Sequence, residues 1–499
     1  MPDVEACERA RRSRDPRFDG LFFTGVTSTG IYCRPVCPAP APLARHVRYY
    51  PNAAAAEAAG FRPCLRCRPE LAPGDPARRH GDDVVARTLA LIDAGALTEA
   101  PMSTLAAQVR LSERQLRRLF VERLGAPPVG VHGTRRLLLA KQLLTDTSLP
   151  VTEVAMAAGF NSLRRFNTVF RDAYRMAPRD LRRQAPRHET SAGLTLRLGF
   201  RPPCDFEALL AFLRQRALPG IEVVSDDSYA RAFSGREGQG WWRVSRMPAR
   251  RGESPHALRL EVFGARPAVL LPLVTRIRRM FDLDADPHAI AAVLGRDPRL
   301  RPLIRRSPGL RVPGAWDAAE IAVRAIIGQQ VSVAAARTIA TRLALRHGEA
   351  LPPDLHAIGL THLFPTIDAL AEQPLDGLGL TRDRALAIRT LAKALVDGRV
   401  NLAPGVALDD FVAQWTSLPG VGRWTAHYLA MRALSHPDAC PVEDLILRRA
   451  LPNDGTTVSP ATLRRHAEAW RPWRAYAVMH LWRDAAHARP SARTTRSSR

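Results

Sequence analysis

The stretch SLPGVGRWTA, residues 417–426, decides the fold of the C-terminal part of this chain. An apolar residue, Pro, Gly, a second apolar residue and Gly, followed by a helix start, is typical of a tight hairpin between two helices. Such a hairpin lets the backbone approach a ligand closely, and the next helix presents free N–H groups and its positive dipole end. We therefore predict a phosphate-binding hairpin formed by Gly420, Gly422, Arg423 and Thr425. An ordinary glycine turn in a helical bundle is the alternative.

An aspartate follows this hairpin along the chain. Asp444 lies 22 residues after Gly422, in the stretch CPVEDLILRRAL, and Glu443 stands beside it. Acidic residues between a proline and an apolar run indicate a helix start, so the simplest role for Asp444 is an N-cap. A hairpin followed by an aspartate at this distance is also the pattern of the helix-hairpin-helix DNA glycosylases, and the chain resembles that class.

Three longer stretches narrow the resemblance. PGLRVPGAWDAAEIAVRAIIGQQVSV (308–333), LPGVGRWTAHYLAMRAL (418–434) and AEAWRPWRAYAVMHLW (467–482) are similar to the AlkA family of 3-methyladenine DNA glycosylases. The similarity covers residues 190–485, although the part before residue 300 fits the N-terminal domain of that family more loosely. It implies binding of duplex DNA and excision of alkylated bases of the 3-methyladenine and 7-methylguanine type.

The resemblance also assigns roles to residues. Asp444 matches the catalytic aspartate, which stabilises positive charge on the deoxyribose as the glycosidic bond breaks. Trp424, Tyr428 and Trp473 match aromatic residues of the base pocket, where ring faces attract cationic bases by about 0.5–2 kcal/mol. Core packing is the alternative for each of these rings.

Two positions set this chain apart from relatives of the superfamily. Trp424 stands where bifunctional, strand-cutting relatives carry a lysine, and a tryptophan cannot form a Schiff base. We therefore expect the reaction to stop at an abasic site. Gln330 stands where AlkA proteins insert a leucine wedge into the duplex, so here the wedge is polar. The four-cysteine cluster of the iron–sulfur branch is missing after Asp444, and no iron–sulfur cofactor is expected.

Four cysteines near the N-terminus form two close pairs. Cys33-x3-Cys37 and Cys64-x2-Cys67 are separated by 26 residues and flanked by arginines. Two short pairs at this spacing are typical of a tetrahedral zinc site with four thiolate ligands, and unrelated thiols are the alternative. The sequence therefore predicts one zinc ion.

The sequences around these cysteines, TGIYCRPVC and GFRPCLRC, resemble the zinc domain of Ada adaptive-response proteins over residues 15–70. In that family the first zinc-bound cysteine accepts a methyl group from a methylphosphotriester in DNA, and Cys33 matches it. A metal-bound thiol is deprotonated and stays nucleophilic at neutral pH. The Pro-Cys-His-Arg motif of the second Ada methyltransferase domain does not occur in this sequence.

Residues 84–183 have helical periodicity and two helix-turn-helix patterns, joined by a helix over Thr134–Leu144. A Ser-x-x-Gln capping box starts the second helix of the first pattern. AAGFNSLRRFNTVFRDAYRMAP (157–178) resembles the AraC-type DNA-binding domain, which follows the zinc domain in Ada proteins. Arg and polar residues that start a second helix are the types that read base edges. The predicted DNA contacts are Arg114, Gln115, Arg118, Arg164, Arg165 and Asn167; a helical bundle with a basic surface is the alternative.

Charge and composition agree with a nucleic-acid partner. Lys and Arg number 73 against 48 Asp and Glu, a formal net charge of +25, which indicates DNA or RNA first and an anionic membrane second, although a coding bias towards arginine contributes. The N-terminus lacks the apolar run of a signal peptide. The sequence also contains no stretch of about 18 apolar residues, the length that a membrane span needs. We expect a cytoplasmic protein associated with the nucleoid.

The predicted fold is multidomain and mainly α, with α+β parts. We predict a zinc-binding methyl-acceptor domain (1–80), an AraC-type double helix-turn-helix domain (81–185), an α+β AlkA N-terminal-like domain (190–305), an all-α helix-hairpin-helix glycosylase domain (306–486) and a disordered basic tail (487–499). The function this favours is a glycosylase fused to a methyl sensor and transcriptional activator, with RNA polymerase as a further partner. A regulator whose glycosylase domain only holds DNA, and a basic DNA-packaging protein, are the alternatives.

Overall fold

The first part of the chain is a small sheet that carries the cysteines. The computed structural model describes residues 1–74, 84–185, 193–235, 238–247, 255–402, 406–451 and 456–488. The strand order is β3-β1-β2-β4, in which β2 and β4 are parallel and the other pairs are antiparallel. Cys33 ends β2 and Cys64 follows β4, so the sheet brings the two cysteine pairs together. The elements are α1 (Val4–Ser13), β1 (Phe23–Val26), β2 (Ile31–Cys33), β3 (Val47–Tyr50), α2 (Ala53–Ala58) and β4 (Arg62–Pro63).

Residues 84–185 form the two predicted helix-turn-helix units. The predicted capping box is confirmed: the Ser112 hydroxyl accepts from the Gln115 N–H at 3.3 Å, and Gln115 Oε1 accepts from the Ser112 N–H at 3.0 Å. The connecting helix is longer than predicted, because Pro128 starts it at a position that suits proline and its buried face continues to Asp146. The helices are α3 (Val84–Asp93), α4 (Ala96–Glu99), α5 (Met102–Gln108), α6 (Glu113–Leu124), α7 (Pro128–Asp146), α8 (Val151–Ala157), α9 (Leu163–Tyr174) and α10 (Pro178–Gln184).

An antiparallel sheet follows, in the order β5-β9-β8-β7-β6. The sequence runs Leu194–Leu198, Tyr229–Phe233 and Ala257–Phe263, whose residue types favour strands, lie in β5, β7 and β9. The central strand β8 was not predicted; its Trp242 and Val244 are buried on one face of the sheet. The elements are β5 (Leu194–Gly199), α11 (Phe206–Arg214), β6 (Glu222–Val224), β7 (Ser228–Gly235), β8 (Gly238–Arg246), β9 (Ala257–Ala265), α12 (Leu270–Met280), α13 (Pro287–Leu294) and α14 (Leu300–Arg306).

The C-terminal block is helical around one apolar core. Its last helix runs to Ala488 and so includes the first two residues of the predicted tail, and residues 489–499 lie outside the described residues. No helix within the described ranges combines the length and apolar character that a bilayer crossing needs. The helices are α15 (Ala318–Ile327), α16 (Val333–His347), α17 (Ile367–Glu372), α18 (Arg382–Val396), α19 (Leu408–Thr416), α20 (Arg423–Arg432), α21 (Leu445–Ala450), α22 (Pro460–Ala467) and α23 (Arg474–Ala488).

One apolar core joins the second helix-turn-helix unit to the five-stranded sheet. Leu143, Phe166 and Phe170 of the helices belong to the same buried cluster as Leu196 and Trp242 of the sheet. The two segments, predicted from the sequence to be separate domains, therefore share their interior. Continuous apolar burial of this kind makes the segments mechanically dependent on each other.

Arg201 fastens the front of the chain to the sheet. It is 0% exposed, its Nε donates to the carbonyl of Asp19 at 2.8 Å, and its Nη2 donates to the carbonyl of Gly74. Its Nη1 donates to the carbonyls of Asp284 and Ala285 at 2.6 and 3.0 Å. A single buried guanidinium thus ties the zinc domain to the loop after α12.

We expect Arg201→Met to lower the free energy of unfolding by about 3 kcal/mol or more, because each buried carbonyl left without a donor costs about 1–3 kcal/mol. Urea unfolding of the metal-loaded protein, followed by tryptophan fluorescence, measures this loss. Arg214→Met is the matched control, since Arg214 pairs with Asp226 at the surface and such pairs contribute about 0–1 kcal/mol. A loss for Arg201→Met no larger than that of the control would contradict the role of Arg201.

Candidate active site and metal centre

The predicted hairpin between α19 and α20 is confirmed. Gly420 has a φ of +80°, and a Cβ there would lie 2.8 Å from Ala387 Cβ, so both conformation and space require glycine. Gly422 precedes α20 without a side-chain cap, and apart from its chain neighbours no described atom lies within 4 Å of the place where its Cβ would be. The first N–H groups of α20 therefore remain open to an anion.

The two predicted DNA contacts that follow the glycines differ in exposure. The Arg423 side chain is 57% exposed, and its Nε lies 3.5 Å from Glu443 Oε1. Thr425 is only 3% exposed, and its hydroxyl accepts a hydrogen bond from Gln329 Nε2 at 3.2 Å. The Thr425 side chain is therefore turned into the protein, so a contact of this residue with DNA would come from its backbone, and that contact stays a prediction.

The turn between α15 and α16 is held against the hairpin. Gln329 Nε2 also donates to the carbonyl of Gly420 at 2.9 Å, and Arg384 donates to the carbonyl of Gln329. The next residue, Gln330, is exposed and has a φ of +55°, which is uncommon for a residue with a side chain. Gln330 thus projects outward from a turn that its neighbour fixes to the hairpin.

Asp444 uses its two carboxylate oxygens for different partners. Oδ1 accepts from the N–H of Leu447 at 3.0 Å, so Asp444 is the N-cap of α21, as the simplest interpretation of the sequence predicts. Oδ2 accepts from Trp424 Nε1 at 2.9 Å. The cap therefore holds the carboxylate in place while the second oxygen reaches the helix after the hairpin. The neighbouring Glu443 lies instead near Arg423 and Arg464.

Three aromatic rings lie together beside Asp444. Trp424 and Tyr428 are stacked, with ring centroids 5.2 Å apart and planes at 7°, and Trp482 lies 6.3 Å from Tyr428. Trp473 is 5% exposed, belongs to the apolar core and meets Tyr476 edge to face. The structure therefore does not bring Trp473 to the other rings. Trp482, the last residue of the stretch AEAWRPWRAYAVMHLW that also contains Trp473, was not predicted as a pocket residue.

These rings line a cavity of about 610 Å³ between α11 of the sheet segment and the helical block. Asp444, Trp424, Tyr428 and Trp482 form one side of it. Phe212 and Arg216 on or just after α11 also line it, with the Arg216 guanidinium 3.7 Å from the Phe212 ring centre. Neither residue was predicted, because the helical spacing of the apolar residues in α11 indicates a buried face but not what packs against it.

The inner part of the cavity is electropositive. Burial raises the pKa of Tyr428, but the guanidiniums of Arg432, Arg216 and Arg324 outweigh burial and hold that pKa below its ordinary value. Arg432 Nη1 donates to the Tyr428 hydroxyl at 2.8 Å. The cavity therefore combines a carboxylate, stacked aromatic faces and a positive inner wall. The positive wall opposes the attraction of cationic bases that the aromatic rings provide.

The four predicted metal ligands are together. The Sγ atoms of Cys33, Cys37, Cys64 and Cys67 all lie within 4.8 Å of one another. Hydrogen bonding to Cys33 lowers the pKa of the Cys37 thiol to about 7. The N–H of Arg34 donates to Cys67 Sγ at 3.3 Å, which is the kind of bond that steadies a metal-bound thiolate. Four sulfur ligands in two short pairs fit Zn²⁺.

The arginines after the first and last ligands are engaged within the protein. Arg34 is 6% exposed and pairs with Asp19, and its Nη1 donates to the carbonyl of Cys67 at 2.9 Å. Arg68 pairs with Glu70 at 2.8 Å and with Asp146 of α7 at 2.7 Å. The metal site is therefore connected to both the Arg201 junction and the helix-turn-helix block.

The predicted helix-turn-helix contacts lie at the starts of α6 and α9. Arg114, Arg118, Arg164 and Arg165 are exposed, and Asn167 is partly exposed. Gln115 is exposed as well, but its Oε1 is occupied by the Ser112 N–H of the capping box. Only its amide N–H₂ remains for a base edge, so the predicted DNA contact of Gln115 is limited to donating hydrogen bonds.

Four family models match the chain in this same order. Residues 6–70 match the metal binding domain of Ada, residues 105–184 a helix-turn-helix domain and residues 195–317 the AlkA N-terminal domain. Residues 323–475 match the HhH-GPD superfamily of base excision DNA repair proteins. The fold and the site define a base excision DNA repair protein that carries a metal-binding domain and a DNA-binding domain ahead of it.

The chain belongs to the family of bifunctional transcriptional activator/DNA repair enzymes AlkA. It is 43% identical over 490 residues to the probable member from Mycobacterium tuberculosis, with 97% of each chain covered. It is 35% identical over 288 residues to the DNA-3-methyladenine glycosylase 2 of Escherichia coli, covering 57% of this chain and 95% of that one. A 3-methyladenine DNA glycosylase from Archaeoglobus fulgidus has a similar fold, with a TM-score of 0.50 and 22% identity over 58% of this chain and 98% of that one.

Proposed function

We propose that the protein is a monofunctional DNA glycosylase for alkylated bases, fused to a methylphosphotriester sensor and DNA-binding activator. The observation that carries the proposal is Asp444 in the wall of an aromatic cavity, with Oδ2 accepting a hydrogen bond from Trp424 of the hairpin helix. The helix N-cap fixes this carboxylate at the cavity instead of letting it turn to solvent. The division into functional parts at residues 80, 185 and 305 belongs to the same proposal.

Excision begins when the damaged base leaves the duplex and enters the cavity. Backbone N–H groups at Gly422 and Arg423 hold a phosphate, and Gln330 enters the space that the base has left. The base stacks against Trp424 and Tyr428. As the bond from C1′ to the base nitrogen breaks, the electron pair leaves with the base, and the Asp444 carboxylate stabilises the positive charge on the sugar. A water molecule then adds to C1′ and loses a proton.

The product of this reaction is a free base and an intact strand with an abasic site. Trp424 occupies the hairpin position nearest Asp444 and offers no amine, so a covalent imine with the sugar cannot form there. Incubation with an alkylated duplex should give breaks only after alkali treatment. Strand breaks formed before alkali would contradict the monofunctional assignment. DNA binding by folded protein without any base release would favour the alternative, a regulator that only holds DNA.

The front half supplies the sensor. When one zinc ion is bound by the four cysteines, it keeps their sulfur atoms deprotonated. The Cys33 sulfur attacks the methyl carbon of a phosphotriester, an S–C bond forms, and the C–O electron pair returns to the phosphate as a diester. The thioether that results carries no negative charge, which reduces repulsion from DNA and favours promoter binding through Arg114, Arg118, Arg164, Arg165, Gln115 and Asn167. RNA polymerase is the partner of such an activator, and the cytoplasmic nucleoid is where it would act.

Mass spectrometry tests the sensor. After incubation with DNA that carries methylphosphotriesters, the peptide containing Cys33 should gain the mass of one methyl group. Cys33→Ser should show no gain, and Cys7→Ser, outside the cluster, should behave like the wild type. A methyl group found on Cys37, Cys64 or Cys67 instead would contradict the assignment of the acceptor.

Gln330 can be tested separately from the chemistry. We expect Gln330→Ala to weaken binding of a duplex that contains an abasic site at least about tenfold, a loss of about 1.4 kcal/mol, because the gap in the duplex is then left unfilled. Gln329→Ala is the comparison, since Gln329 fixes the turn to the hairpin through its bonds to the Gly420 carbonyl and the Thr425 hydroxyl. Equal binding by Gln330→Ala and the wild type, measured by fluorescence anisotropy, would rule out a wedge.

A further inference from the structure

A second cavity, of about 300 Å³, lies at the place where three parts of the chain meet. Arg87 comes from helix α3 of the helix-turn-helix block, and Arg276 and Arg279 come from α12 of the sheet segment. Ser435 comes from the turn after α20 in the glycosylase block. This cavity is distinct from the one that contains Asp444, and the proposed excision reaction does not use it.

Three buried donor atoms around this cavity lack acceptors among the described residues. Within the described part of the chain, Arg87 Nε, Arg279 Nε and Ser435 Oγ have no hydrogen-bond partner. Ser435 also has a φ of +53°, an uncommon backbone conformation for this residue type. Buried polar groups in proteins are nearly always paired, and an unpaired one calls for an unseen partner. These three atoms come from three segments of the chain, and their residues line the same cavity.

The carboxylates that line the cavity already have donors. Asp93 pairs with Arg135, and Asp284 pairs with Arg278. The other two accept from neighbours: Asp282 from the Val312 N–H at 3.2 Å and the Tyr476 hydroxyl at 2.8 Å, and Asp317 from the Glu320 N–H at 2.8 Å.

Four arginines, Arg87, Arg276, Arg278 and Arg279, line the cavity together with these four aspartates. The Arg276 guanidinium lies 4.7 Å from the centre of the Trp316 ring. Burial, and then Arg276, lowers the pKa of Arg279 to about 10, and Asp93 and Asp317 offset this incompletely. A guanidinium in such surroundings gains stability from an added anion.

We propose that this cavity binds a small tetrahedral oxyanion, either inorganic phosphate or the phosphate group of a small metabolite. Guanidinium N–H groups and a hydroxyl are the donors that phosphate takes in proteins. Duplex DNA is excluded, because the cavity holds only about half the volume of the base cavity and lies between packed helices. Since its donors come from three segments, the bound anion stabilises the assembly of the front and back halves.

The test uses the zinc-loaded full chain in phosphate-free buffer at constant ionic strength. Isothermal titration with inorganic phosphate, and separately with ribose 5-phosphate, gives the dissociation constants. We expect Arg279→Gln and Arg87→Gln each to weaken binding about tenfold or more, as loss of a charged hydrogen bond does. Arg305→Gln, an exposed arginine of α14, is the control and should bind like the wild type.

The outcomes are distinct. Tighter binding of ribose 5-phosphate than of phosphate identifies a phosphorylated metabolite, and the reverse identifies the free anion. No heat of binding with the wild type, or equal binding by the wild type and both arginine variants, overturns the proposal. Ser435→Ala, a smaller change, serves if an arginine variant fails to fold, and it should weaken binding as well. Base excision without phosphate is measured in parallel, so failure of this site is distinguishable from failure of the proposed glycosylase.

Discussion

Asp444→Asn should lower the single-turnover rate of base excision at least about 10²-fold, because the transition state loses the negative charge that faces the sugar. The substitution is nearly isosteric, and asparagine is as good an N-cap as aspartate, so α21 keeps its start. One of the two hydrogen bonds, to Leu447 or to Trp424, loses its acceptor oxygen. That costs about 1 kcal/mol of stability, far less than the expected effect on the rate.

Glu443→Gln is the matched control for this prediction. It removes the adjacent carboxylate, which lies near Arg423 and Arg464, while the bonds of Asp444 remain. We expect its excision rate to stay within a few-fold of the wild type. If the two variants lost activity equally, the assignment of the chemistry to Asp444 would be wrong. The combined negative charge of the two carboxylates at this helix start would then explain the activity better.

Removal of zinc should have the largest effect on stability. Structural zinc sites contribute about 10–16 kcal/mol of apparent binding free energy, so a chelator should unfold the sheet that carries the cysteines. The consequence reaches further, because Arg201 then loses the carbonyls of Asp19 and Gly74 as acceptors. The glycosylase half should therefore unfold at a temperature several degrees lower, at about 2–4 °C per kcal/mol.

Differential scanning calorimetry of zinc-loaded, chelated and reconstituted protein measures this coupling. Two changes are expected on chelation: loss of the transition of the front half and a lower midpoint for the remaining one. Addition of zinc should reverse both. A glycosylase transition with the same midpoint in all three samples would mean that the contacts around Arg201 carry no stability between the halves.

The sequence was sufficient for features that are local. The hairpin at Gly420 and Gly422, the capping box at Ser112 and the cysteine pairs each depend on residues close together in the chain, and all three are present. Asp444 is instructive because two interpretations of it were open. The structure has the N-cap and the contact with Trp424 at once, since a carboxylate has two oxygens.

Features that depend on packing between distant segments were not predictable in the same way. Trp473 and Trp482 both belong to the stretch 467–482 that resembles the AlkA family. Which of the two rings reaches the cavity depends on how α23 is rotated against its neighbours. Phe212 and Arg216 enter the cavity from a segment more than 200 residues before Trp424 and the other rings. A pattern of apolar residues does not encode these contacts, because it gives the buried face of a helix but not its partner.

The most direct test of the central claim is the release of free base from an alkylated duplex by the zinc-loaded protein. Bases released from DNA treated with a methylating agent are separated by chromatography and counted against the abasic sites formed. The proposed function predicts release of 3-methyladenine and 7-methylguanine by the wild type, equal numbers of abasic sites, and near loss of both with Asp444→Asn. Folded, DNA-binding wild-type protein that releases no base would contradict it.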